Sequence, residues 1–140
     1  MVQIIAGSKG KGKTKVLIEK ANEVVKSAMG QVIYLDKNAK HMYELNPAIR
    51  LINVLEYPIE NKDDLLGFIS GLISGNHDID TIFVDSLLTL ANIPQEENIA
   101  PLLGRIASVS NKFNIKFVLC ISRNAEEIPA EFRDNIIVSL

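Results

Sequence analysis

A glycine- and lysine-rich stretch, GSKGKGKT at positions 7–14, constrains the fold of this chain more than any other feature. It follows a short apolar run, VQII at 2–5, that is typical of a buried strand. It leads into a segment, 13–29, whose apolar residues recur at helical spacing, and Gly30 supplies a helix stop. The sequence therefore predicts a strand, a glycine-rich loop and a helix in direct succession.

The stretch fits the pattern G-x-x-x-x-G-K-(S/T), which average composition produces by chance in about one chain of this length in two hundred. Between a strand and a helix, glycines let successive backbone N–H groups point at phosphate oxygens, and the positive end of the helix adds to the attraction. We expect Lys13 to reach the β- and γ-phosphates of a nucleotide and the Thr14 hydroxyl to bind Mg²⁺. The predicted nucleotide-binding residues are Gly7, Ser8, Lys9, Gly10, Lys11, Gly12, Lys13, Thr14 and Lys15.

The three remaining lysines of this set, Lys9, Lys11 and Lys15, have an alternative interpretation. As exposed charges they would bind nothing. Otherwise they add positive potential near the phosphates or contact an acidic partner.

The rest of the chain alternates between apolar runs and segments of helical periodicity. Because continuous apolar strands are buried on both faces, this pattern predicts a three-layer α/β/α fold with a mostly parallel six-stranded sheet. No repeat or linker interrupts the chain, so we predict a single domain over 1–140. Besides the strand at 2–5 and the helix at 13–29, the predicted strands are 31–36, 49–55, 81–85, 116–122 and 136–140; the predicted helices are one from Asn61 to Gly75, one over 95–111 and a helical turn near 128–133.

A second acid is needed to hold a metal, usually at the tip of an apolar strand. The run TIFVD ends in Asp85, which we expect to contact Mg²⁺ directly or through water. Ser86 and the loop beyond it are expected to line the same cleft, because ligands of such sheets lie at the carboxyl ends of the strands. Tyr34 and Tyr57 are expected to pack in the core or at its rim, and stacking on a nucleotide base is the alternative.

Composition excludes several function classes. The net charge of -2 provides no general attraction to nucleic acid or to an anionic membrane. The N-terminal apolar run is too short for a signal peptide, and no stretch approaches the roughly 20 apolar residues that span a bilayer. Cys120 is the single cysteine, so no internal disulfide forms. We expect a cytoplasmic protein without nucleic-acid or membrane partners.

Three segments together carry a family resemblance. TIFVDSLLTL resembles the metal-binding strand of RecA-like ATPases, LLGRIASVSNKFNIKFVLCIS is similar to the helix and strand that follow it, and QVIYLD resembles the strand that precedes it. The resemblance implies that this is a P-loop ATPase core with a sheet in the order 3-2-4-5-1-6. It also implies ATP and Mg²⁺ as ligands, and assembly with further copies of the chain or with a protein partner.

One position departs from that family. RecA-like proteins typically carry a glutamate two residues after the aspartate that ends the second strand, where it polarises the attacking water; Asn38 stands here. An amide orients water but does not accept its proton, so we expect slow or partner-activated hydrolysis. Asp36, Glu44 and Glu56 are possible substitutes.

Arg123, after the fifth strand, is either a γ-phosphate sensor or a solvated loop arginine. The predicted catalytic residues are Lys13, Asn38 and Arg123.

Two alternative functions stay open. Asn38 favours a nucleotide-sensing module without catalysis, in which ATP changes shape or assembly and a partner detects the change. GKGKT at 10–14 also resembles the loop of corrinoid adenosyltransferases, although the D-E pair of that family is D-S here. Release of triphosphate rather than phosphate would distinguish adenosyl transfer from hydrolysis.

Overall fold

Six parallel strands form a single sheet in the computed structural model, which describes residues 1–140. The strands are β1 (Val2–Ala6), β2 (Gln31–Asp36), β3 (Arg50–Asn53), β4 (Ile79–Val84), β5 (Lys116–Ile121) and β6 (Ile136–Ser139). Every neighbouring pair is parallel, and the order is β3-β2-β4-β5-β1-β6. The predicted α/β class and strand order are therefore confirmed, and the sheet is entirely parallel.

Four α-helices connect these strands: α1 (Lys13–Val25), α2 (Lys62–Ser74), α3 (Leu87–Leu90) and α4 (Ala100–Phe113). Short 3₁₀ turns cover Met42–Glu44, Val54–Glu56, Ala125–Glu127 and Ala130–Asn135. The predicted cap of α2 is confirmed, because the Asn61 side chain accepts a hydrogen bond from the backbone N–H of Asp64 at 2.9 Å. None of these helices has the length and apolar character needed to cross a membrane.

Apolar side chains pack on both faces of the sheet because strand residues alternate between them. In β4, for example, Ile82 and Val84 enter one cluster and Phe83 enters the other. Helices α2, α3 and α4 cover the first cluster. Helix α1 covers the second with Leu17, Ile18 and Ala21. This arrangement is consistent with three layers, α/β/α.

Several predicted boundaries were wrong. The helix expected over 95–111 begins at Ala100, because Pro94 precedes a turn and the Asn98 side chain accepts a hydrogen bond from the Ala100 N–H at 3.0 Å. It ends at Phe113, where Asn114 adopts a left-handed conformation with φ of 55°. Helix α1 ends at Val25 rather than 29, and the short helix α3 was not predicted. Strand β3 is limited to Arg50–Asn53, and β4 covers Ile79–Val84 rather than 81–85. The turn expected near 128–133 is the 3₁₀ segment Ala130–Asn135, and β1, β5 and β6 each differ by one residue at one end.

Candidate functional site

The glycine-rich loop, residues 7–12, connects β1 directly to α1, as the sequence predicted. Gly10 and Gly12 have φ of 83° and 89°, a left-handed conformation that strains any residue with a side chain. No atom lies within 4 Å of a Cβ built at either position, so the requirement for glycine comes from the backbone and not from lack of space. Gly12 is also the N-cap residue of α1, immediately before the helix begins at Lys13.

The backbone N–H groups of residues 8–15 donate to no carbonyl and no side chain of the protein. On one side of this run, the Gly7 N–H donates to the Arg123 carbonyl at 2.8 Å. On the other side, the Val16 N–H donates to the Gly12 carbonyl at 3.4 Å, the first bond of the helix. A continuous set of free donors at the positive end of a helix is chemically suited to an anion with several oxygens. Gly7 contributes no N–H to this set.

Lys13 lies across the loop. Its side chain is largely buried, with the residue 8% exposed, and Nζ donates to the Ser8 carbonyl at 3.0 Å. Burial lowers the pKa of Lys13, and the negative charges of Cys120, if ionised, and Asp85 oppose that shift. Burial also raises the pKa of Cys120, so its thiol stays protonated. The hydrogen bond to the Ser8 carbonyl holds the Lys13 amine beside the free N–H groups.

Asp85 follows β4 and connects the loop to the core of the sheet. Its Oδ1 accepts hydrogen bonds from Thr14 Oγ1 at 3.3 Å and Ser86 Oγ at 3.4 Å. Its Oδ2 accepts a hydrogen bond from the Tyr34 hydroxyl at 3.1 Å. Hydroxyl and carboxylate oxygens are the ligands that Mg²⁺ prefers, so Thr14 and Asp85 together fit a divalent cation at the end of the loop.

The carboxyl end of β2 provides a second buried acid beside Asp85. Asp36 is 1% exposed; its Oδ1 accepts a hydrogen bond from the Lys37 N–H at 2.7 Å, and its Oδ2 has no protein partner. Burial raises the pKa of Asp36, and the Asp85 charge adds to that effect. Its register neighbour on β3, Asn53, also has a buried side-chain oxygen without a partner.

The two other predicted catalytic residues differ in their surroundings. The Asn38 side chain accepts a hydrogen bond from the Lys40 N–H at 3.1 Å and so stabilises its own turn. Arg123 is 5% exposed and donates from Nη2 to the Pro94 carbonyl at 3.2 Å. The interpretation of Arg123 as a solvated loop arginine was therefore wrong; a contact with phosphate stays a prediction.

Two of the cavities in the protein bear on the position of the site. One of about 440 Å³ lies beside the loop, where Ser8 and Lys9 face residues 88–95 and Ser122. The larger, about 670 Å³, lies at the β3 edge and includes none of residues 7–15 and not Asp85. Lys9, Lys11 and Lys15 are exposed and form no ion pair.

Sequence reasoning missed the contact between Tyr34 and Asp85. As expected, Tyr34 packs in the core. A buried tyrosine hydroxyl usually has a hydrogen-bond partner, because leaving it unpaired is unfavourable. Asp85 supplies that partner. The sequence did contain a signal for this contact. Tyr34 stands two residues before the end of one buried strand, and the neighbouring strand leads directly to Asp85.

No family model matches this chain, and no curated protein matches it either.

Proposed function

We propose that this protein binds ATP with Mg²⁺ through residues 7–15 and Asp85, as a P-loop protein with a RecA-like core. The run of N–H groups at 8–15 without protein partners is the observation that carries the proposal. Backbone donors are satisfied by the protein, by water or by a ligand, and the oxygens of a triphosphate would satisfy many of these at once. Lys13, next to these donors, supplies the positive charge that a polyphosphate requires.

The metal part of the proposal is supported by the pair formed by Thr14 and Asp85. Their oxygens approach to 3.3 Å at the first turn of α1, beside the N–H groups that would hold the phosphates. Mg²⁺, when bound, would neutralise charge on the phosphoryl oxygens. Lys13 would balance the charge of the γ-phosphoryl group, and residues 8–12 would orient it.

Hydrolysis is proposed to be slow, or to depend on a partner. Asn38 has no proton-accepting group and is engaged with Lys40. Asp85 follows β4, and its N–H donates to the carbonyl of Leu35 in the neighbouring strand β2. Asp36 is the next residue of β2, so it is the buried carboxylate nearest to Asp85 in the sheet. We therefore propose Asp36 as the residue that would take the place of the missing glutamate if turnover is measurable.

Calorimetric titration of the protein with ATP, ADP and GTP in the presence of Mg²⁺ tests the binding step. Lys13→Ala is expected to weaken ATP binding by about 30-fold or more, the loss that follows removal of one partner of a close charge pair. Lys26→Ala is the matched control, because Lys26 is exposed at the far end of α1. Absence of ATP binding by the unmodified protein, or equal binding by Lys13→Ala, would refute the proposal.

A nucleotide sensor without turnover is the second candidate, and the engaged amide of Asn38 favours it. Phosphate release measured on the same sample separates the two. Release that is abolished by Lys13→Ala supports hydrolysis. Binding without release, together with a change in molecular mass by light scattering between ATP and ADP, supports the sensor.

A further inference from the structure

Tyr34 carries a polar group into the apolar cluster that α1 covers. It is 0% exposed and is the only member of that cluster with a hydroxyl. Its ring stacks on Phe83, its register neighbour on β4, with centroids 6.4 Å apart and planes 20° apart. Two strands and a neighbouring ring therefore fix the position of the phenol oxygen.

The single protein partner of that hydroxyl is Asp85 Oδ2, at 3.1 Å. The other carboxylate oxygen, Oδ1, is the one that Thr14 and Ser86 contact. Asp85 thus has one oxygen held by the rigid core of the sheet and the other directed at the start of α1. Rotation of the carboxylate would break the bond to Tyr34.

We propose that Tyr34 is a positioning residue for metal binding, whose hydroxyl holds Asp85 in the orientation that presents Oδ1 beside Thr14. The inference rests on the proposed function, since it concerns the Mg²⁺ of the same site. Tyr34 makes no hydrogen bond to residues 7–15.

Hydrogen-bond donors behind a metal-binding carboxylate typically contribute 10- to 100-fold to metal affinity. Tyr34 suits this role because its hydroxyl is buried and Oδ2 of Asp85, at 3.1 Å, is its one hydrogen-bond partner in the protein. A phenylalanine would keep the packing on Phe83 and leave Oδ2 of Asp85 without a donor. The hydroxyl, and not the ring, is therefore the part that the proposal concerns.

The test compares ATP affinity with Mg²⁺ and with EDTA, by calorimetry, in the full chain. The ratio of the two affinities is the Mg²⁺ enhancement. Tyr34→Phe is expected to lower this enhancement about 10-fold while ATP affinity in EDTA stays unchanged. Tyr57→Phe is the matched control, because Tyr57 is exposed and packs on Phe68 with ring centroids 5.3 Å apart, away from Asp85.

A double variant separates positioning from a general loss of structure. If Tyr34 acts through Asp85, Tyr34→Phe has no further effect on the enhancement in an Asp85→Asn background. Equal weakening of ATP binding with and without Mg²⁺, or an unchanged enhancement in Tyr34→Phe, would overturn the inference and leave the proposed function standing. Failure of the unmodified protein to bind ATP would overturn both.

Discussion

Replacing Asp36 by asparagine is expected to stabilise the folded protein at neutral pH. Asp36 is 1% exposed at the end of β2, and its Oδ2 accepts no hydrogen bond from the protein. An amide at this position carries no charge to desolvate. Its NH₂ group can also donate to Oδ1 of Asn53, the register neighbour whose buried oxygen has no partner.

The sign of the pH dependence follows from the pKa of Asp36. Burial is the largest cause and raises that pKa above the usual 3.8, and the charge of Asp85 adds to the rise. The hydrogen bond from the Lys37 N–H and the positive charges of His41 and Lys37 act in the opposite direction but do not cancel it. As pH rises above 3.8, the unfolded chain loses this proton before the folded protein does. The contribution of Asp36 to stability is therefore fully present below 3.8 and is lost as pH rises through the folded pKa.

The magnitude follows from the unpartnered oxygen. Leaving a buried polar group without a partner costs about 1–3 kcal/mol, and the lower figure applies because the asparagine must itself find a donor or acceptor. For a chain of 140 residues, about 1 kcal/mol corresponds to a rise in Tm of about 4 °C. We expect this rise at pH 8 and a smaller difference at pH 4.5, where more of the folded protein carries the proton on Asp36.

Thermal unfolding followed by circular dichroism, between pH 4.5 and 8 in EDTA and without nucleotide, measures the effect. Asp134→Asn is the control, since Asp134 is exposed and makes no ion pair. A Tm difference for Asp36→Asn that is the same at every pH, or that shrinks as pH rises, would show that Asp36 is not a buried charge of this kind.

Two further variants test the local structure. Asn61→Ala removes the side-chain acceptor of the Asp64 N–H and is expected to lower the free energy of unfolding by about 1 kcal/mol in urea titration; no change would mean that α2 does not depend on this cap. Gly12→Ala forces a side chain into a backbone with φ of 89°, which costs about 1–2 kcal/mol and moves the N–H groups of the loop. We expect Gly12→Ala to bind ATP more weakly than Gly67→Ala does, since Gly67 lies in a helix with open space around it. Equal ATP affinities of the two variants would show that the left-handed conformation at Gly12 is not needed for binding.

Much of the fold was predictable because its signals are local. The strand, loop and helix around residues 7–14 are contiguous, so apolar periodicity and glycine placement were sufficient to locate them. The strand order came from the resemblance of three segments to RecA-like proteins and is confirmed by the pairing of β1 with both β5 and β6. Boundaries were less secure, as α4 shows, because turn residues such as those at 95–98 have no periodicity of their own.

The surroundings of Arg123 were not predictable in the same way. The sequence places it after β5, but its burial depends on the loop that contains Pro94, 29 residues earlier, whose carbonyl accepts its hydrogen bond. Pro94 lies outside the helix that was expected over 95–111, but no local pattern in the sequence indicates that its carbonyl meets Arg123.

By itself, the sequence determined which segments form strands and helices and where the glycine-rich loop lies, since these depend on neighbours a few residues apart. Only the tertiary structure decided which distant side chains meet. Tyr34 and Asp85 are 51 residues apart, and Thr14 and Asp85 are 71 apart. These contacts form only if the carboxyl ends of β1, β2 and β4 lie side by side in a particular register. That register is set by packing over both faces of the whole sheet.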